Sequence, residues 1–420
     1  MALAAALSAY GAEVRVVGDA PTGFRMLRDG KPFVIRGAGG TTRLDTLAAC
    51  GGNAIRTWDA ASAEQLEDGR SLLDTAHEHG IAVMVGLWLG HERHGFDYGD
   101  PAQIEKQRRE VEASVARLKD HPAVLAWGLG NEMEGGGGPG DSPAIWREVE
   151  HLARRIKEID PDHPVMTIVA NVNPEKLAAI RQHASSIDIL GVNAYADAAR
   201  IGDKLRAGAW NKPYCITEFG VPGPWESGHT DWKAPVEPTS REKAGFTYVS
   251  AQRIMADQGR CLGSFAFLWG SKQEATASWF GILLPTGEKT PRADALARAW
   301  TGRWPADRAP VLDAVEMPVA GKHVEPGARF DVLVRYRDPE HSPLEYRWEV
   351  REESSDRREG GDAERPPAEV PGAVAADGST GRATVTAPTR AGAYRLFVTV
   401  LDGNGSGCTD NWTFHVDSGN

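Results

Sequence analysis

The sequence predicts a (β/α)8 (TIM) barrel followed by a small all-β sandwich of immunoglobulin-like size. Three observations carry this. Eight short apolar runs, rich in β-branched residues, recur between residues 32 and 268. Capped helical patterns separate them. After Trp304-Pro305 the periodicity changes to that of alternating strands. Eight strand–helix units in about 270 residues is the arithmetic of a closed parallel barrel. A doubly wound open sheet is the alternative. It calls for a G-x-G-x-x-G turn after its first strand, and Gly37-Ala38-Gly39-Gly40 lacks that spacing.

The elements follow in order. Residues 1–12 are small and apolar and resemble the end of a secretory signal, short and without a basic n-region. Secretion or a periplasmic location is the expectation. Residues 13–31 read as a small hairpin with Asp29-Gly30 as its turn. The barrel strands are expected at Pro32–Arg36, Asn53–Thr57, Ile81–Leu87, Val124–Leu129, Val165–Val169, Ile187–Val192, Pro213–Thr217 and Gly263–Leu268. One helix is expected to open at Ser62 and close at Gly80. Asp100-Pro101 and Ser142-Pro143 open two more, each a side-chain acceptor followed by proline in the first turn. Ile145, Val149, Leu152 and Ile156 give the last of these one apolar face. The barrel with its hairpin thus spans 13–304 and the sandwich 307–420. The sandwich strands are expected at Arg329–Tyr336, Leu344–Val350, Arg382–Thr386, Tyr394–Leu401 and Trp412–Val416, with 351–379 as loop. Each domain has its own periodic core, so the barrel is expected to stand without the sandwich.

Composition narrows the function. Hydrophobic residues make up 41% and charged residues 25%, the balance of a globular chain. The net charge of −11 offers nothing to a phosphate backbone, so no nucleic-acid partner is expected. No apolar run reaches the roughly 20 residues that span a bilayer. The four cysteines fit no zinc or disulfide framework, and buried free thiols are the preferred reading. Cys215 and Cys261, near consecutive strands, are the one candidate pair.

In such a barrel the active site lies at the C-terminal strand ends. Those ends read Arg56-Thr57-Trp58-Asp59, Trp88-Leu89-Gly90-His91, Gly130-Asn131-Glu132, Asn171, Asn193-Ala194-Tyr195, Thr217-Glu218-Phe219 and Trp269-Gly270-Ser271. Two carboxylates therefore end the fourth and seventh strands. Cleaving a glycosidic bond with retention uses such a pair, one carboxyl protonating the leaving oxygen and the other attacking the anomeric carbon. Arg56 is the natural charge partner of the nucleophile. Tyr195 suits a hydrogen bond to the same carboxylate, and Asn131 suits the sugar 2-hydroxyl. Trp58, Trp88, Trp225, Trp232, Trp269 and Trp279 fall on strand ends or the loops beyond them, where ring faces stack on sugars. The loop from Val221 to Thr239 has the length of a cleft wall.

The run from Asp120 through Trp127 to Asn131-Glu132 resembles the fourth-strand signature of glycoside hydrolase family 2. Lys212 through Thr217-Glu218 to Gly220 resembles its seventh-strand signature. Gly52 to Arg56-Thr57 and Asp160 to Pro164 resemble its second strand and its entry to strand five. The likeness covers residues 24–302 and extends to clan GH-A, with the glucanosyltransferases. It implies Glu132 as acid/base and Glu218 as nucleophile. It also implies Arg56, Asn131, Tyr195 and Trp269 around the cleaved sugar. The sequence departs from family 2 in lacking β-domains before the barrel. Residues 394–405 resemble the last strands of a PKD-like domain, with a spacer as its default role.

Blander readings compete. Glu134 is a rival acid but lies past the strand, facing solvent. Arg56 suits a structural ion pair, and Tyr195 and Trp269 suit a cap on the barrel core. Trp225 and Trp232 suit packing of their loop. His91, Glu92 and His94 do not make H-E-x-x-H, so neither a metal nor any cofactor is expected, and His91 is read as a substrate contact. His121 and His163 precede strands and belong to the stability face. The expected function is a retaining glycoside hydrolase acting on β-linked oligo- or polysaccharides of the β-glucan or β-mannan type. Its substrate contacts are Arg56, Trp58, Trp88, His91, Asn131, Asn193, Tyr195, Trp225, Trp232 and Trp269. A transglycosidase using the same carboxylates and a non-catalytic glycan-binding protein are the alternatives.

Overall fold

The computed structural model describes residues 11–134, 142–358 and 360–418. Most of the segment read as a signal remnant, residues 1–10, lies outside them. Two compact units are present. One holds residues up to Phe219 with Ala251–Ala266, the other Gly220–Ser250 with everything from Phe267 onward.

The first unit contains the closed barrel. Its strands run Ile35–Gly39, Ala54–Arg56, Ala82–Leu87, Val124–Asn131, Val165–Ala170, Ile189–Asn193, Tyr214–Phe219 and Cys261–Ala266. Each pairs in parallel with its neighbour, and the eighth closes on the first through Gly263 opposite Ile35. The strands are buried on both faces, which is why they read as continuous apolar runs and not as alternating ones. Ile35, Ala54, Met84, Ala126, Ile168, Ile189, Cys215 and Phe265 fill the core. Gly86 is required by crowding, since a Cβ there would sit 2.3 Å from the Trp58 carbonyl carbon.

Residues Val14–Asp19, Gly23–Arg28 and Lys31–Phe33 form a three-stranded antiparallel sheet, one strand more than the expected hairpin. The Val14 amide donates to the Asp162 carbonyl, Phe24 to Gly259, and the Arg28 side chain to Pro122. All three acceptors precede barrel strands, so this sheet covers the N-terminal mouth.

The helix expected from Ser62 to Gly80 is two helices. Asp59, not Ser62, caps Ala60–Glu64, its carboxylate accepting from the Ser62 amide at 2.7 Å. Asp68-Gly69, both at positive φ, then turns a two-residue hairpin, the conformation such a dipeptide favours. Ser71 opens Leu72–Glu78 with a capping box to Asp74. The caps at Asp100 and Ser142 are as expected, and Ile145, Val149, Leu152 and Ile156 are buried. Asp160 accepts from the Trp127 indole at 2.7 Å and contacts His163, a buried brace before strand five. His121 contacts Asp74 and accepts from the Ala123 amide.

The second unit contains two four-stranded sheets. One orders Val311–Glu316, Arg329–Arg337, Arg382–Thr386 and Val374–Ala375. The other orders His323–Val324, Gly407–Val416, Gly392–Leu401 and Glu345–Glu352. Three of these strands were not expected, and Val374–Ala375 falls in the stretch read as loop. Alternation puts Leu396, Val398, Val400, Phe414 and Val416 in the core with Val332, Val334 and Val385.

The Pro-marked boundary near residue 305 does not divide the contacts. Segment 220–250 belongs with the sheets through a buried polar cluster. Glu237 accepts from Lys243, from the Thr276 hydroxyl at 2.5 Å and from Asn411 at 2.8 Å. Arg395 donates to the Pro235 carbonyl at 2.8 Å, and Asp410 accepts from the Ser240 amide at 2.6 Å. No disulfide joins any of the four cysteines, so Cys215 and Cys261 form no bridge. Among the described residues no helix is long and apolar enough to cross a membrane.

Candidate active site

Parallel register brings the candidate residues to one level. Arg56 is the last residue of the second strand, opposite Gly39 and Met84. Asn131 ends the fourth strand opposite Ile168. Asn193 ends the sixth, opposite Ala170 on one side and Glu218 on the other. Gly39 leaves room for an aromatic wall, since a Cβ there would lie 2.8 Å from the Trp58 ring.

Arg56 is the hub. It is buried, with 1% of its surface exposed. One guanidinium nitrogen donates to Glu218 Oε1 at 3.3 Å, to Asn193 Oδ1 at 3.1 Å and to the Thr217 carbonyl at 2.9 Å. The other donates to Asn131 Oδ1 at 2.7 Å. Its carbon lies 4.9 Å from the Trp58 ring centroid. Burial pulls the guanidinium pKa down, and Glu218 and Glu132 act against that shift. So placed, Arg56 is an ion pair that also orients Asn131 and Asn193.

The two carboxylates receive different partners. Glu218 accepts from Arg56 and from the Trp58 indole at 3.2 Å on Oε1, and from the Tyr195 hydroxyl at 2.6 Å on Oε2. A carboxylate meets such donors as acceptor on both oxygens. Among the described residues, Glu132 accepts one hydrogen bond, from Asn193 Nδ2 at 2.7 Å. Burial, then the negative charge of Glu218, push the Glu132 pKa up to about 7, and the Asn193 contact opposes them. One carboxyl is thus prepared to hold a proton near neutrality, while three donors surround the other. Two carboxyls held in such different surroundings suit an acid and a nucleophile.

Asn193 joins them. Its Nδ2 reaches Glu132 and, at 3.2 Å, Asn131 Oδ1, while its Oδ1 accepts from Arg56 and from the Thr217 hydroxyl at 2.7 Å. Asn131 Oδ1 is taken up by Arg56 and Asn193, so its amide nitrogen is what it can offer a sugar hydroxyl. Thr217 was missed in the sequence, although its place before Glu218 on a barrel strand was a signal. Glu134 does not face solvent. It accepts from Lys176 Nζ at 2.7 Å and from the Ala170 amide at 2.9 Å, a structural ion pair.

The structure thus brings Arg56, Trp58, Asn131, Glu132, Asn193, Tyr195 and Glu218 into one network. Trp88 and His91 stack on each other, centroids 4.6 Å apart, and His91 stacks on His94. Trp88 is 43% exposed and offers a free face. Trp225, Trp232 and Trp269 belong to the second unit. Trp225 is exposed, and Trp269, three residues past the eighth strand, is buried. Trp232 belongs to a cluster with two histidines. It packs against His323 and His415 at 5.3 and 5.5 Å.

Residues 67–233 match the family model for glycosyl hydrolases family 2, TIM barrel domain. The likeness to family 2 carried by Asn131-Glu132 and Glu218 is borne out by this match, which spans both. Among curated proteins, the β-glucuronidase of Pongo abelii is 28% identical over 212 residues, covering 44% of this chain and 28% of that protein. The β-glucuronidase of Chlorocebus aethiops is 28% identical over 202 residues, 42% of this chain and 27% of that one. Among solved structures, a β-D-glucuronidase for Dictyoglomus thermophilum gives a TM-score of 0.52 at 19% identity, covering 70% of this chain and 54% of that chain. A β-galacturonidase from Eisenbergiella tayi gives 0.52 at 16%, with the same coverage. The structural likenesses concern the fold. The chain spans about a quarter of the curated relatives' length and about half of the solved ones.

Proposed function

We propose that this chain is a glycoside hydrolase that cleaves β-linked glycosides with retention, Glu132 serving as acid/base and Glu218 as nucleophile. The observation that carries the reading is the asymmetry across Asn193. A proton-holding carboxyl that accepts from Asn193 and a carboxylate with three donors are linked through Asn193 and Arg56. In the first step Glu218 attacks the anomeric carbon while Glu132 gives its proton to the leaving oxygen. In the second, Glu132 takes a proton from water, which displaces Glu218 and restores both groups. The Asn131 amide holds the sugar 2-hydroxyl, and Trp88 supplies a stacking face. Arg56, Trp58 and Tyr195 position Glu218.

For the substrate we propose a β-D-uronide in place of the β-glucan or β-mannan expected from sequence. The support is the activity of the relatives, β-glucuronidase and β-galacturonidase. Arg56 is committed to Glu218, so a uronate carboxylate requires donors other than Arg56.

Two measurements test this. A 2-fluoro glycoside with a good leaving group should trap a glycosyl-enzyme, with the added mass on the peptide holding Thr217-Glu218-Phe219. A label on another carboxylate, or an inverted first product, overturns the mechanism. A panel of aryl β-D-glucuronide, galacturonide, glucoside, galactoside and mannoside should give its highest kcat/KM on a uronide. A higher value on a neutral sugar overturns the substrate class alone. Product masses above that of the substrate would reveal transfer to a sugar acceptor.

A further inference from the structure

His323 and His415 are Cα partners in the parallel pairing of His323–Val324 with Gly407–Val416. Strand alternation puts Asp417 on the side of His415. Two imidazoles and a carboxylate therefore meet at one sheet edge, with ligand atoms within 4.8 Å of one another. His323 Nδ1 lies 2.5 Å from Asp417 Oδ1, and His415 Nδ1 lies 3.4 Å from the same oxygen. The far nitrogen of His323, Nε2, is 3.1 Å from Asp231 Oδ2. The Trp232 ring stands edge-on to His323 and tilted to His415.

Exposed His–Asp pairs by themselves contribute little to stability. They give no reason for two imidazoles to turn toward one carboxylate oxygen. Two neutral imidazoles and a carboxylate are, however, a ligand set that zinc takes in three positions, with a fourth left to water. A ligating histidine commonly gives its other N–H to a carboxylate, which fixes its tautomer and raises its basicity. Asp231 stands where that contact belongs.

We propose that His323, His415 and Asp417 bind one zinc ion, with Asp231 as the positioning residue for His323. The ion would fasten the turn at 230–234, closed by the Thr230 amide donating to the Ala234 carbonyl, to the edge of the sheet. The site is independent of the glycosidase reading. It also departs from the absence of metal expected from sequence, because its ligands come from the two ends of the sandwich.

The test is calorimetric titration of the untagged full chain, stripped with chelator and exchanged, with zinc sulfate. One equivalent should bind, with a Kd in the micromolar range or tighter. His415→Ala and Asp417→Asn should each abolish that isotherm. Asp231→Asn should weaken it by about 10–100-fold at unchanged stoichiometry. His94→Ala, in the other histidine-rich stretch, should leave it unaltered. Circular dichroism checks each variant for folding. Should His415→Ala misfold, His323→Gln, at the exposed start of its strand, carries the same test. Failure to bind one equivalent, binding that survives these ligand variants, or loss in His94→Ala overturns the proposal.

Discussion

Replacing Asn193 with alanine removes its contact to Glu132 together with those it makes to Arg56, Thr217 and Asn131. Asn193 Nδ2 donates to Glu132 Oε1 at 2.7 Å, a contact that favours the ionised carboxyl. A hydrogen bond to a charged group contributes about 1.5–3 kcal/mol. At 1.36 kcal/mol per pH unit, losing it raises the Glu132 pKa by about 1–2 units. Glu132 is only partly buried, so entering water restores some of this, and about 1 unit is expected. Glu218 keeps Arg56, Trp58 and Tyr195, so its role persists. The alkaline limb of kcat/KM against pH reports the acid of the free enzyme. In the parent it should lie at about 7, and Asn193→Ala should move it up. The rate should fall as well, by roughly 10–100-fold, because Glu132 loses its orienting contact. The assay is a pH series on a glycoside whose leaving group needs protonation. A limb that stays in place or moves down would refute the argument that Asn193 acts on Glu132.

Glu132→Gln should lose about 10²–10⁴-fold on glycosides with poor leaving groups and little on aryl glycosides with acidic ones. Equal losses in steady-state assays on both would reassign the residue. Ending the chain at Ala306 removes Asn411, Arg395 and Asp410 from the 235–243 segment and opens the buried Glu237–Lys243 pair. Each buried polar group left without its partner costs about 1–3 kcal/mol, so the truncated chain should be insoluble or melt without cooperativity. A soluble fragment with a sharp melt would show that the cluster is dispensable. Ser71→Ala removes the cap of Leu72–Glu78, at about 0.5–2 kcal/mol near pH 7. The hydrogen bonds from Ser71 also hold the Asp74 pKa down at about 2. A carboxyl depressed in the folded state contributes stability that is complete above its unfolded value of about 3.9. That contribution is lost as pH falls toward 2, so the gap in Tm between parent and variant should narrow from pH 7 to pH 3. A constant gap would mean that Asp74 adds nothing beyond the backbone cap.

The barrel strands were legible because burial on both faces writes continuous apolar runs, and their ends could be read for chemistry. Glu132 and Glu218 stood out there with Arg56, Trp58 and Tyr195. The break at Asp68-Gly69 was missed because a turn dipeptide of two residues was averaged into a helical window. The role of Asn193 was not legible, since its partners arrive from the second, fourth and seventh strands. Trp232 was assigned from loop position alone, and loop position does not say which surface a ring will meet. His323 and His415 become neighbours only through strand register. The dependence of segment 220–250 on the sheets was hidden for a related reason. Proline punctuation marks where the chain turns, whereas the division into compact units follows which buried charges share partners.

Glu132 itself sits at φ 48, close behind Gly130 at φ 71. A residue with a Cβ in that region gives up roughly 1–2 kcal/mol, and the same residue bears a desolvated carboxyl beside a second one. Asparagine or glycine would accept the backbone and remove the charge. Selection for heat resistance alone would therefore be expected to discard Glu132 early, and lineages that had ceased to turn over substrate would drift away from it. Glu132 thus places its carboxyl at the cost of a backbone position that suits glycine.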